Sequence, residues 1–126
     1  MTNLSRYSNK NILIIEDHPL TVEMLISFLE KGFICDYALD GDKGFEKASQ
    51  NIPDLILLDI MLPGISGLEV CKKLKSNPIT AKIPIIIESA KATDEDIALG
   101  KAAGAEEYLT KPFELSKLLE LIEKHL

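Results

Sequence analysis

The sequence predicts a doubly wound α/β fold, with five parallel strands in one sheet and helices on both faces. Three observations carry this. Short apolar runs recur at residues 12–15, 55–58 and 83–87, unbroken as in strands buried on both faces. Between them lie stretches whose apolar residues repeat at helical spacing. The connections are a few residues long, as expected when strand and helix alternate and each crossover returns to the same sheet. At 126 residues the chain reads as one domain around one core.

The elements follow in order. Residues 1–10 (MTNLSRYSNK) read as a polar, frayed tail, and the folded domain as residues 11–126. The first strand runs through Ile12 to Ile15 and ends on Glu16 and Asp17. Pro19 suits the first turn of a helix. In that helix Leu20, Met24, Leu25, Phe28 and Leu29 repeat at helical spacing, and Gly32 is a natural stop. Residues 33–38 have strand composition, and Asp40-Gly41 turns the chain into a short helix with Phe45 and Ala48 inward. Pro53 ends that connection.

The next strand, Leu55-Ile56-Leu57-Leu58, stops at Asp59, and Pro63-Gly64 forces a turn. Ser66 with Glu69 reads as a capping box opening a third helix, whose inner stripe is Leu68, Cys71 and Leu74. Asn77-Pro78 breaks it, and residues 83–88 form the fourth strand. Thr93 with Asp96 makes a second capping box for a helix ending near Gly104. Residues 106–110 are the fifth strand, Lys111-Pro112 turns the chain, and Leu115, Leu118, Leu119 and Ile122 line the last helix. The whole is a (βα)5, flavodoxin-like arrangement.

In such open sheets ligands bind at the carboxyl ends of the strands. Glu16, Asp17 and Asp59 arrive there together. Their mutual repulsion calls for a counter-charge. One remedy is a hard divalent cation with oxygen ligands, magnesium above all; the other is Lys111, at the end of the fifth strand. Ser89 adds a hydroxyl at the end of the fourth. This set suits phosphoryl transfer, which needs positioning and charge neutralisation. Asp59 is the candidate nucleophile, forming an acyl phosphate. Glu16 and Asp17 would hold magnesium, and Lys111 and Ser89 the phosphoryl oxygens.

Four pieces, in this order and spacing, carry a family resemblance: Ile14-Ile15-Glu16-Asp17, Leu58 to Gly64 (LDIMLPG), Ser89-Ala90-Lys91, and Gly104 to Phe113 (GAEEYLTKPF). From about residue 10 onward the chain resembles the receiver domain of bacterial two-component response regulators, the CheY-like fold. The resemblance implies that Asp59 accepts phosphate from a sensor histidine kinase or a phosphotransfer protein. It implies magnesium at Glu16, Asp17, Asp59 and the backbone carbonyl of Met61, and a cis Lys111–Pro112 bond. It assigns Ser89 and Lys111 to the phosphoryl group, and makes Tyr108 an aromatic switch that follows Ser89 inward. The output would be a protein-interaction surface on the fourth helix, fifth strand and fifth helix, contacting a downstream partner or a second copy. Such a domain catalyses its own phosphorylation and dephosphorylation. In receivers the residues two after the nucleophile and two after the Ser/Thr flank the path of hydrolytic water. Here these are Met61, long and apolar and able to cover the approach, and Lys91, a donor only, so slow loss of phosphate is expected.

Glu88 departs from the family pattern, which is apolar there. Alternation sends Glu88 and Ser89 to opposite faces, and an unpaired buried carboxylate is costly. Glu88 is therefore expected to reach solvent or to pair with a basic group. His18 reads as a rim residue, and His125, in the last helical turn, has no assigned function.

Other classes fit less well. A nucleotide binder of this fold would present a Gly/Ser/Thr-rich loop after the first strand, where this chain has Glu16-Asp17-His18-Pro19. An Asp-x-Asp phosphatase would carry a second acid two residues after Asp59, where Met61 stands. A pseudo-receiver acting without phosphorylation is the alternative, although it usually lacks an acid or the lysine that this chain keeps.

The net charge of −6 argues against direct nucleic-acid or membrane-surface binding through bulk charge. No apolar run approaches the ~18 residues of a membrane span. The first ten residues lack a signal-peptide core. Two cysteines, Cys35 and Cys71, without metal-ligand spacing point to free thiols in a reducing cytoplasm. The chain is expected to be either a single-domain regulator or part of a longer one.

Overall fold

A computed structural model describes residues 7–126. The strands are β1 (Asn11–Ile15), β2 (Ile34–Ala38), β3 (Leu55–Leu58), β4 (Ile85–Ser89) and β5 (Glu107–Thr110). The helices between and after them are α1 (Pro19–Leu29), α2 (Gly41–Gln50), α3 (Gly67–Ser76), α4 (Asp94–Ala102) and α5 (Leu115–Lys124). All strand pairs are parallel, in the order β2-β1-β3-β4-β5. The predicted fold class is the observed one.

Strand alternation divides the core. Ile12, Ile14, Leu55, Leu57, Ile86 and Leu109 face α1 and α5, meeting Leu25, Leu29, Leu118 and Ile122. Leu13, Ile15, Ile56, Leu58, Ile85 and Ile87 face α2, α3 and α4, meeting Ala48, Val70, Cys71 and Leu74. Because β3 is buried along its whole length, its sequence is apolar throughout.

Local details differ from the sequence reading where a neighbour decides. In α1 the buried residues are Val22, Leu25 and Leu29, while Leu20 and Met24 are exposed. The stripe is rotated because α1 packs on the β1–β2 side of the sheet, a direction that its own periodicity leaves open. β4 begins at Ile85, two residues later than expected, since Pro84 has no N–H for the ladder; its carbonyl instead accepts from Ile56 N–H at 3.0 Å. Thr93 and Asp96 form a full capping box. Ser66 caps α3 through Glu69 N–H alone.

Of the expected polar tail, residues 1–6 lie outside the described residues. Tyr7 is buried and stacks on Phe33, with ring centroids 5.8 Å apart. The Lys111–Pro112 peptide bond is cis, as expected.

Candidate functional site

The inward row facing α1 and α5 continues past the strand ends. On β1 it runs Ile12, Ile14 and then Glu16, and on β3 Leu55, Leu57 and then Asp59. On β4 it runs from Ile86 to Glu88. The register pairs Ile15 with Leu58 and Leu58 with Ile87, so one step further Glu16, Asp59 and Glu88 stand side by side. Each offers an oxygen, all within 4.8 Å of one another, and each residue is buried, Glu88 completely. Lys111 follows Leu109 on the same face of β5 and reaches into this row.

The Lys111 ammonium is 2.8 Å from Glu16 Oε1, 3.1 Å from Asp59 Oδ2 and 3.1 Å from Glu88 Oε2. The first two contacts are hydrogen bonds. The third is an ion pair without hydrogen-bond alignment, and among the described residues neither Glu88 oxygen has a hydrogen-bond partner. Glu16 Oε2 accepts from His18 N–H at 3.1 Å, and Asp59 Oδ1 accepts from Met61 N–H at 2.9 Å. The nucleophile candidate is thus pinned at one oxygen by backbone and at the other by the lysine.

Burial dominates the electrostatics. It raises the Glu16 carboxyl above its ordinary range, against the pull of Lys111. It lifts Glu88 to about 8, Lys111 again opposing and Glu16 and Asp59 adding repulsion. Burial works to lower Lys111, but Glu16, Glu88 and Asp59 outweigh it and the ammonium is held above its usual value. Both thiols are free and raised to about 11 by burial.

A stability prediction arises from Glu88. Its folded pKa, about 8, stands above the ordinary 4.5, so between those values the native state binds the extra proton. Stability therefore falls as pH rises through that window, by on the order of a few kcal/mol. Glu88→Leu should flatten the dependence of the urea midpoint on pH in metal-free buffer. An unchanged slope would show that Glu88 does not titrate this way.

The sequence-assigned residues are divided between two faces and a rim. Asp17 is exposed and lines an open cleft with Met61 and Lys91. Ser89 is buried on the other face, following Ile85 and Ile87, and its Oγ accepts from Lys91 N–H at 3.3 Å. Tyr108, paired with Ile87, shares that face. Its ring lies against Gly100 of α4, where any Cβ would come within 2.7 Å of it, and its hydroxyl donates to the Lys91 carbonyl. His18 is an exposed N-cap whose Nδ1 accepts from Thr21 N–H. His125 pairs with Glu107 at 2.7 Å, far along the chain from the acids.

Glu88 is the residue whose place the sequence left open. It does not reach solvent; its basic partner is Lys111. Strand alternation separated it from Ser89, but only the β3–β4 register sets it beside Asp59. The donor set is all hard oxygen, and three buried carboxyls face one ammonium, a composition that fits a hard divalent cation.

This sheet, with acids and a lysine at its carboxyl edge, defines a class. The chain belongs to the response regulator receiver domain family, whose model matches residues 12–123. Among its relatives is the response regulator ArlR of Staphylococcus saprophyticus, 43% identical over 112 residues, which are 88% of this chain and 50% of that protein. The chain spans about half the length of the curated relatives it matches. The chemotaxis protein CheY4 of Vibrio cholerae has a TM-score of 0.88 at 27% identity, covering 94% of this chain and 100% of that one. The receiver domain of the Pseudomonas aeruginosa sensor histidine kinase PA1611, solved with a magnesium ion in its active-site cleft, has a TM-score of 0.86 at 26% identity, covering 93% and 97%. Among the described residues no helix is long and apolar enough to cross a membrane.

Proposed function

We propose that this chain is a phosphorylatable receiver working in the cytoplasm. Asp59 accepts a phosphoryl group from the phosphohistidine of a sensor kinase or phosphotransfer protein, and the modified domain presents an altered surface to a downstream protein. The observation that carries this reading is the Asp59 carboxyl itself. It is 5% exposed, at the carboxyl end of the central strand, with Lys111 3.1 Å from one oxygen.

In the transfer an Asp59 oxygen attacks phosphorus, a P–O bond forms, and the P–N bond to the donor imidazole breaks with the electron pair leaving on nitrogen. Magnesium, held by Glu16, Asp17, Asp59 and the Met61 carbonyl, would neutralise charge on the transferring group. Lys111 screens the same charge from the β5 side. The Met61 N–H fixes the Asp59 oxygen it binds, so the carboxyl meets the donor in one orientation.

Ser89 and Tyr108 supply the route outward. Both lie on the α4 side of the sheet, joined through the β4–α4 loop at Lys91. Drawing Ser89 toward a phosphoryl oxygen would shift that loop and the Tyr108 ring above Gly100. This biases two packings of the α4–β5–α5 face, where a partner or second copy would bind.

Incubation with acetyl phosphate and magnesium should add the mass of one phosphoryl group at Asp59, and excess chelator should prevent it. No addition in either condition would leave the pseudo-receiver reading in its place. The phosphorylated state is expected to be long-lived. Met61, apolar with only a weakly accepting sulfur, and Lys91, a donor only, flank the cleft. The combined change Met61→Asn and Lys91→Glu should shorten the lifetime severalfold, and an equal or longer lifetime would show that these side chains do not gate water.

A further inference from the structure

The Lys111 ammonium has three protons to donate and three carboxyls around it, at 2.8, 3.1 and 3.1 Å. Two of those carboxyls belong to the proposed phosphoryl-acceptor site. The third, Glu88, is fully buried, and among the described residues it has no hydrogen-bond partner at either oxygen. Among the described residues its ion-pair partner is Lys111; the row it stands in is Glu16, Asp59 and Glu88, with Leu109 opposite on β5.

A carboxyl buried in this way is tolerated because Lys111 stands against it. The dependence runs both ways. A lysine tied to Glu88 is drawn towards β4 and has less of its charge free for an incoming anion.

We propose that Glu88 is a positioning residue that holds the Lys111 ammonium, so that a phosphoryl group on Asp59 must compete with the Glu88 side chain for it. This rests on the reading of Asp59 as phosphoryl acceptor and adds to it a built-in restraint on activation. Glu88 touches no phosphoryl oxygen in this scheme; it acts through Lys111. Removing it should make the phosphorylated state easier to reach, the reverse of what loss of a supporting core residue would do.

The test uses beryllofluoride with saturating magnesium as the phosphoryl analogue, its binding followed by fluorine NMR at roughly pH 9, above the value of about 8 to which burial lifts the Glu88 carboxyl, so that Glu88 is ionised. Glu88→Gln keeps the shape and one acceptor but no charge; Glu88→Val removes the acceptor as well. Analogue affinity should rise from wild type to the Gln variant to the Val variant, by about tenfold in all, within the range for coupled neighbours. In a Lys111→Met background the same substitutions should have no effect, because the competition has lost its object. If the Val variant does not fold, the Gln variant carries the comparison. Affinity equal to or below wild type in the Gln variant would overturn the proposal. So would a gain that persists without Lys111, since that would be simple charge repulsion. Absence of binding to wild type itself, with magnesium saturating, would overturn the acceptor reading and this proposal with it.

Discussion

Asp59→Asn should take up no phosphoryl group from acetyl phosphate while keeping its fold. The change is isosteric and removes the nucleophile, since an amide oxygen carries no full charge and its nitrogen no free pair for attack. The two ends of the side chain are not equivalent. Oδ1 accepts from Met61 N–H and Oδ2 from Lys111. An asparagine keeps one acceptor and turns an NH2 toward the other donor. That mismatch costs about 1 kcal/mol, offset by relief of repulsion among the buried carboxyls. Intact-mass measurement beside a thermal unfolding curve separates the two effects. Phosphoryl uptake at wild-type level by a folded Asp59→Asn protein would place the acceptor elsewhere.

Gly67→Ala should destabilise the fold by ~3 kcal/mol, the upper end for forced overpacking. A Cβ at Gly67 would lie 2.2 Å from the Asp59 carbonyl oxygen and 2.5 Å from Ile60 Cα. Both are backbone atoms, so no rotamer change relieves the clash. The Gly67 N–H also donates to the Ile60 carbonyl at 2.9 Å, which fixes the start of α3 against the end of β3. Moving α3 outward would break that bond and shift the backbone that aims Asp59, so phosphoryl uptake should fall with the urea midpoint. A midpoint matching wild type would show that the loop after β3 absorbs a methyl group. Gly44 makes a similar approach to Ile15, but to side-chain atoms, and its substitution should cost less.

Much of this molecule was legible in the chain. The apolar runs ending in acids gave the strands, and their alternation with amphipathic segments gave a parallel sheet with its strand ends at one edge. Asp59, Glu16 and Lys111 could be placed there because each immediately follows or ends such a run. The caps at Thr93 and the helix start at Pro19 are local chemistry, written in neighbouring residues. The inner face of α1 was not legible: Leu20, Met24, Val22 and Leu25 are all apolar, and only packing on the sheet decides which are covered.

The division is clearest at the acids. The sequence by itself determined that carboxylates and one lysine gather at the carboxyl edge, since chain order and strand polarity suffice for that. Which carboxylates share the buried row was decided by the tertiary structure. β1, β3 and β4 are apolar on both faces, so their patterns carry no mark of register, and a slip of one residue would exchange Glu88 for Ser89 beside Asp59. The ladder from Ile15 through Leu58 to Ile87 removes that freedom. It puts Glu88 in the row with Lys111 and leaves Asp17 at the rim, because hydrogen bonds between strands join residues that no local pattern relates.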